Sequence, residues 1–333
     1  MSKTYDPVSY RVVFASSAPI GVPFLTALVS NPRFDVVGVV TQPDQPSGRG
    51  MKMKANIIKE TWREIEDKSL EDFIITPNTL RLKSKKYPEE WTQFQSWLES
   101  KKPDFLVVIA YGNIIPQYIL DIPTIGPINV HGSLLPAYRG ASPIQSVLLD
   151  DQSETGITIM RMDAGLDTGP MLRAQWFPLT IHTTAMDIIH QFSGFGPQLL
   201  INTMVDYASG KTPEIIQDES QATHCSKLDK TAWLVNPWIQ SLHEINNIYR
   251  GCYLWPKTYF ILDESWGKHV GKQVIIDTLE LDDELWEEHK KQSLFIPLFG
   301  GKGWGVRLNP TIKNLLIKPE WSKAMRWEDW LRG

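Results

Sequence analysis

An amide, an imidazole and a carboxylate stand in two short segments of this chain, Asn129-Val130-His131-Gly132-Ser133-Leu134-Leu135-Pro136 and Gly165-Leu166-Asp167-Thr168-Gly169-Pro170. Together such groups can polarise a carbonyl, move a proton and hold the proton carrier in place. An Asn side chain donates a hydrogen bond to a carbonyl oxygen without a change of charge. A histidine titrates near neutrality and can shuttle a proton. A carboxylate can fix the histidine tautomer or take up a proton itself. Singly, each residue has an ordinary reading: Asn129 and His131 satisfying backbone groups at a strand end, and Asp167 as a turn residue beside Gly169. Jointly, at the ends of neighbouring predicted strands, they form a candidate catalytic trio. No Ser or Cys stands out as a covalent nucleophile, because Ser133 lies in Gly-Ser-Leu-Leu-Pro, which is not a nucleophile elbow. Direct attack of a substrate amine on a carbonyl fits better than an acyl-enzyme.

These residues need a scaffold that places them. Residues i and i+2 of a strand point to the same face, so a strand over Ile128–His131 puts Asn129 and His131 together. Gly132 ends that strand, leaving both side chains at its C-terminal end, where open α/β sheets hold their ligands. Strand signals at Arg11–Ala15, Phe34–Val40, Phe73–Thr76, Phe105–Ala110 and Gly156–Met162 alternate with helical stretches at Ile20–Val29, Pro88–Ser100, after Pro116, at Pro143–Asp150 and at Thr184–Ala208. The alternation predicts a Rossmann-like α/β fold, a mainly parallel sheet with helices on both faces. Beyond Gly210 the pattern changes. A helix is expected over Val235–Tyr249. Short strands follow at Thr258–Leu262, Val274–Leu279, Leu294–Phe299, Gly305–Asn309 and Asn314–Ile317, as in a small antiparallel, OB-like barrel. The expected organisation is a catalytic domain over 1–210, a linker over 211–230 and a C-terminal domain over 231–333. The acidic stretch Asp282–Glu288 reads as a solvated loop or helix.

A length of 333 residues fits two domains better than one. The formal net charge of -4 excludes a whole-protein basic field for nucleic acid but not a local patch. Cys225 and Cys252 are the only cysteines, too few for a disulfide framework or a thiolate zinc site, and no metal is expected. A reducing cytosol fits, and the polar stretch Met1–Arg11 has neither a signal-peptide nor a membrane-span pattern.

Other segments flank the trio. Leu134, Leu135 and Pro136, with Gly140, would make a stiff apolar loop, one wall of a slot for a flat heteroaromatic ligand, or else ordinary loop packing. Ala110-Tyr111-Gly112, after the preceding parallel strand, would supply another wall, with a glycine that lets a ligand approach the backbone. Thr41 to Lys54 follows a buried strand and carries Arg49, Lys52 and Lys54. It reads equally as a solvated mobile loop or as an arm that reaches for phosphates and folds on contact. Gly48-Arg49-Gly50 lacks the third glycine of a dinucleotide fingerprint, and Gly300-Gly301-Lys302-Gly303 reads as a hairpin turn. His182 and His190 are not at metal-pair spacing.

At Asn129-Val130-His131, Ser133 to Pro136, Tyr138-Arg139-Gly140 and Leu166 to Gly169 the chain resembles the folate-dependent formyltransferases. Thr41 to Lys54, Gly140 to Gln145 and Thr155 to Met160 extend the resemblance, which covers most of Val12 to Gly210. It returns more weakly at Ser226–Leu228, Tyr253–Pro256 and Lys323–Met325. The basic loop points to members that act on an aminoacyl-tRNA. The resemblance implies formyl transfer from 10-formyltetrahydrofolate to the α-amino group of methionine on initiator tRNA. It implies Asn129 on the formyl oxygen, His131 as the acid, and Asp167 as its positioner and a route for the amine proton. Ser133 to Pro136 and Ala110 to Gly112 would bind folate, and Arg49, Lys52 and Lys54 would clamp the acceptor stem. The C-terminal domain would contact tRNA more broadly. A cytoplasmic monomer with no membrane partner is expected. Two departures stand out: Ser17-Ala18-Pro19 where the family usually has Gly-Thr-Pro, and Asn236-Pro237-Trp238 where it has an Asp-Trp pair. The nearest rival is a sugar-nucleotide amine formyltransferase using the same trio and donor, which needs no basic arm. A catalytically idle RNA-binding protein is disfavoured by the intact trio.

Overall fold

A computed structural model of the chain describes residues 9–47, 52–65, 73–77, 88–253, 257–262, 269–300, 303–319, 323–326 and 329. The chain forms two compact units. The first comprises Met1–Ala141, Gly156–Trp176 and His190–His224, and the second Ser142–Thr155, Phe177–Ile189 and Cys225–Gly333.

The first unit is built on a seven-stranded sheet. Its strands are β1 (Tyr10–Ser16), β2 (Phe34–Val40), β5 (Ile74–Ile75), β6 (Phe105–Ile109), β7 (Gly126–His131), β9 (Glu154–Arg161) and β10 (Met171–Pro178). Their order is β10-β9-β7-β6-β1-β2-β5. The pairs β1–β2, β1–β6, β2–β5 and β6–β7 are parallel, whereas β7–β9 is antiparallel. The middle strands are apolar runs because both faces are covered: every residue of β6, Phe-Leu-Val-Val-Ile, is buried. On one face Val13, Val108 and Leu106 pack with Phe94 and Leu98 of the helix Pro88–Lys101. On the helix Ala185–Ala208, a Cβ at Gly196 would meet Phe24 at 2.6 Å and Ile157 of β9 at 3.2 Å, so a glycine lets that backbone lie against its neighbours.

Parallel pairing sends β1, β2, β6 and β7 in one direction, so the loops after Ser16, Val40, Ile109 and His131 leave from a common edge. There Gln42 Nε2 donates to the Tyr111 carbonyl (3.0 Å), and the Gln42 N–H donates to Ser17 Oγ (3.1 Å). Two short strands, β3 (Gln45–Ser47) and β4 (Lys52–Lys54), pair antiparallel within the segment after β2. The described flanks of that segment therefore pair as a hairpin, where the sequence left a solvated mobile loop and an arm that folds on contact equally open. Its base is tied by Asp44, which pairs with Lys59 (3.1 Å) and accepts the Asn56 N–H (3.2 Å).

The second unit holds a four-stranded antiparallel sheet, with β12 (Tyr259–Ile261), β13 (Gln273–Leu281), β16 (Ile312–Pro319) and β17 (Met325–Arg326) in that order. A separate hairpin joins β14 (Phe295–Gly300) to β15 (Gly303–Leu308). These strands fall where turn-separated runs were expected, forming the small C-terminal β domain. Its core gathers Leu242, Ile245, Phe260, Val274, Ile276, Leu294, Phe295 and Ile317. The helix Leu242–Gly251 starts later than the sequence suggested. A capping box sets its start, with the Ser241 side chain accepting from the Glu244 N–H and Glu244 accepting from Ser241. The acidic stretch resolves into the helix Asp283–His289, capped by Asp282. Among the described residues, no helix is long and apolar enough to cross a membrane, and no cluster of three or more His, Cys, Asp or Glu could hold a metal.

Candidate active site

Asn129 and His131 occupy alternate positions at the C-terminal end of β7, paired in register with Met160 and Thr158 of β9. Both are buried, at 9% and 5% exposure. Buried polar groups must find partners, and here they find them in the two loops that follow.

The structure brings the trio together around one carboxylate. Asn129 Nδ2 donates to Asp167 Oδ1 (3.3 Å), and the Gly140 N–H donates to Asp167 Oδ2 (2.8 Å). His131 Nδ1 lies 3.6 Å from the same Oδ2. That separation exceeds hydrogen-bonding distance. The opposite ring nitrogen, Nε2, lies 2.9 Å from the Tyr138 carbonyl. A carbonyl oxygen only accepts, so Nε2 carries the hydrogen, an assignment made from the partner. The Tyr138 carbonyl thus fixes the imidazole, while Nδ1 faces Asp167 and is the nitrogen left for a reacting proton. Sequence reasoning gave the positioning task to Asp167 alone and missed the carbonyl, which carries no signature in its side chain.

The loops hold this geometry through constrained backbone. Tyr138 and Asp167 have φ values of 60° and 56°, in the left-handed region that non-glycine residues seldom occupy. Gly169 cannot be replaced in place, since a Cβ there would stand 2.0 Å from the Arg161 carbonyl oxygen. Leu135-Pro136 is a cis peptide. The loop is pinned to β9, where Thr158 Oγ1 donates to the Ser133 carbonyl (2.7 Å) and accepts the Leu135 N–H (3.1 Å).

The residues expected to wall a ligand slot separate into two kinds. Ser133 is fully buried, its hydroxyl donating to the Ala137 carbonyl (2.6 Å), and Leu135 is 7% exposed. Both shape the loop from within, while Leu134 and Pro136 are only partly buried. Ala110, with φ 46°, and Gly112, with φ 82°, are exposed after β6. The Tyr111 ring instead packs into the core beside Ile115 and Leu120, and burial pushes its phenol up to about 12. Any ligand contact from Tyr111 must therefore come from its main chain. Lys52 and Lys54 lie on β4 of the hairpin, with Lys54 exposed, and Arg49 lies outside the described residues.

The sequence placed Arg139 in the Tyr138-Arg139-Gly140 motif without giving it a role, and it offered no signal for Gln217. Arg139 is 1% exposed and forms a two-pronged pair with Glu219 (2.9 and 2.7 Å), while its Nε donates to Gln217 Oε1 (3.0 Å). The guanidinium holds the Glu219 carboxyl below the usual range.

An amide, an imidazole and a carboxylate facing one another can serve a reaction that builds an oxyanion and moves one proton. Comparison with known proteins gives this chemistry a context. Residues 11–204 match the model of the family described as formyl transferase. The methionyl-tRNA formyltransferase of Pseudomonas fluorescens (strain SBW25) is 39% identical over 246 residues, 74% of this chain and 73% of that protein. A sugar 3N-formyl transferase, WlaRD, solved in the presence of dTDP and 5-N-formyl-THF, shares the fold with a TM-score of 0.60 at 15% identity, covering 95% of this chain and 99% of that one. An N-formyltransferase from Helicobacter canadensis, in complex with folinic acid and dTDP-3-aminofucose, does so with a TM-score of 0.58 at 14% identity, covering 93% and 98%.

Proposed function

The chain belongs to the formyl transferase family, and from that premise we propose that it carries the formyl group of 10-formyltetrahydrofolate to the α-amino group of methionine on initiator tRNA. The observation that carries this reading is the convergence of Asn129, His131 and Asp167 at the end of β7. The methionyl-tRNA formyltransferase relative supports the acceptor.

The bound donor supplies the formyl carbon and a leaving nitrogen. Asn129 has two amide hydrogens, and Asp167 takes one of them. The other donates to the formyl oxygen as it becomes an oxyanion under attack by the methionyl amine. His131 Nδ1 exchanges the proton that the amine loses and the leaving nitrogen gains. Asp167 stabilises the imidazolium formed in between. The Tyr138 carbonyl keeps Nε2 occupied, so the proton moves at Nδ1 only. The donor set fits a flat heteroaromatic ligand held by main-chain and apolar contacts. Gly112 is exposed and free of a Cβ, and Leu134 and Pro136 are apolar and only partly buried. Arg49, Lys52 and Lys54 clamp acceptor-stem phosphates.

The test is an assay of purified protein with formyl donor and three acceptors: initiator Met-tRNA, elongator Met-tRNA and a nucleotide-linked amino sugar. Formylation of the initiator alone is expected; formylation of the amino sugar with none of Met-tRNA rejects the reading. In the same assay Arg49→Ala should raise the KM for tRNA about 10-fold, leave the KM for folate unchanged and lower the salt slope by about 1. Equal effects on both substrates would reject the clamp.

A further inference from the structure

The stretch after Gly210 reads from sequence as a linker, and the family match ends at residue 204. Its contacts are not those of a passive connection. Gln217 is 5% exposed, and its Nε2 donates to two carbonyls of the loop that bears Asp167, those of Asp167 itself (2.8 Å) and Gly169 (2.7 Å). Its Oε1 accepts from Arg139 Nε (3.0 Å). Farther along, Thr223 engages the loop that orients His131. The Arg139 N–H donates to the Thr223 carbonyl (2.8 Å), the Tyr138 N–H to Thr223 Oγ1 (2.8 Å), and the Thr223 N–H to the Pro136 carbonyl (3.3 Å). Between these anchors, Asp218 accepts the Ser220 N–H (2.9 Å) and closes a short turn, and Glu219 grips Arg139.

We propose that Gln217–Thr223 is a positioning strap that sets the two catalytic loops against each other. Both loops carry a non-glycine residue in the left-handed region, Tyr138 and Asp167. Such backbone persists only where its surroundings over-determine it. Gln217 supplies that restraint at Asp167. With it, the carboxylate points at Asn129 and the Gly140 N–H and lies close to His131 Nδ1. Thr223 supplies it at Tyr138, whose carbonyl orients the imidazole. These are positioning residues, since each acts on the backbone of a loop that carries or orients the trio.

The inference rests on the trio being the formyl-transfer site, and the experiment separates the two. Gln217→Met keeps length and bulk but removes the donors. In the full chain it should lower kcat by about 10- to 100-fold with both KM values held within about twofold, the signature of a displaced catalytic group. In an Asp167→Asn background the same substitution should cost less than about twofold more, because the group it positions is already gone. Unchanged kcat in Gln217→Met, or the same fold loss in both backgrounds, overturns the strap. Full activity of Asp167→Asn overturns the site reading and the strap with it. Should Gln217→Met not fold, Thr223→Val and Thr223→Ser ask the same question. A kcat loss in Val that Ser restores supports the strap, and wild-type kcat in Val overturns it.

Discussion

His131→Ala should lower kcat for formyl transfer by about 10³-fold while the protein stays folded. The magnitude is that of a removed general acid–base. The two ring nitrogens have different tasks. Nε2 lies 2.9 Å from the Tyr138 carbonyl, which orients the ring, and Nδ1, 3.6 Å from Asp167, is the nitrogen to which the proposed mechanism gives the proton transfer. Alanine removes both. It also removes the hydrogen bond from His131 to the Tyr138 carbonyl, at a cost of about 1–3 kcal/mol, which a stable domain tolerates. Single-turnover rates and a thermal melt check the pair of expectations. Full activity in the variant refutes the role of His131, and loss of the folded state leaves His131→Gln as the variant to measure.

Asn129→Ala should lower kcat by about 10²- to 10³-fold with little change in either KM, the pattern of a donor that acts on the transition state. Asn129→Asp separates hydrogen bonding from charge. Asn129 stands 3.3 Å from Asp167 Oδ1, so an aspartate there would set two carboxylates side by side, and both cannot ionise. The Asp variant should lose at least as much activity as Ala, and raising the pH should restore neither. Wild-type kcat in either variant would remove Asn129 from the mechanism.

Much of this site was legible because it is written in strand alternation and short spacing. Asn129 and His131 are two residues apart, Gly132 closes the strand, and the buried apolar run of β6 marks a central strand. The unread parts have physical reasons. Strand β10 lies at the sheet edge with Ala174, Gln175 and Trp176 exposed, so it carries no apolar alternation. The helix Ile57–Ile65 buries Ile58, Thr61 and Trp62, a spacing that was present but short and interleaved with charge. The hairpin Gln45–Lys54 depends on its tie through Asp44, a contact set by the fold rather than by local pattern. Gln217 acts through its side-chain amide on carbonyls 48 and 50 positions away, which nothing in its neighbourhood announces. The Tyr138 carbonyl is a main-chain group and has no residue-type signal at all.

The most direct measurement follows a radiolabelled formyl group through one turnover of the wild-type protein with initiator Met-tRNA. Three groups that assist direct amine attack predict label passing from folate to the methionyl amine in a single phase, with none retained on the quenched protein. Label held covalently on the protein before it reaches the tRNA would contradict that chemistry, as would transfer at the wild-type rate once Asn129, His131 and Asp167 are all replaced.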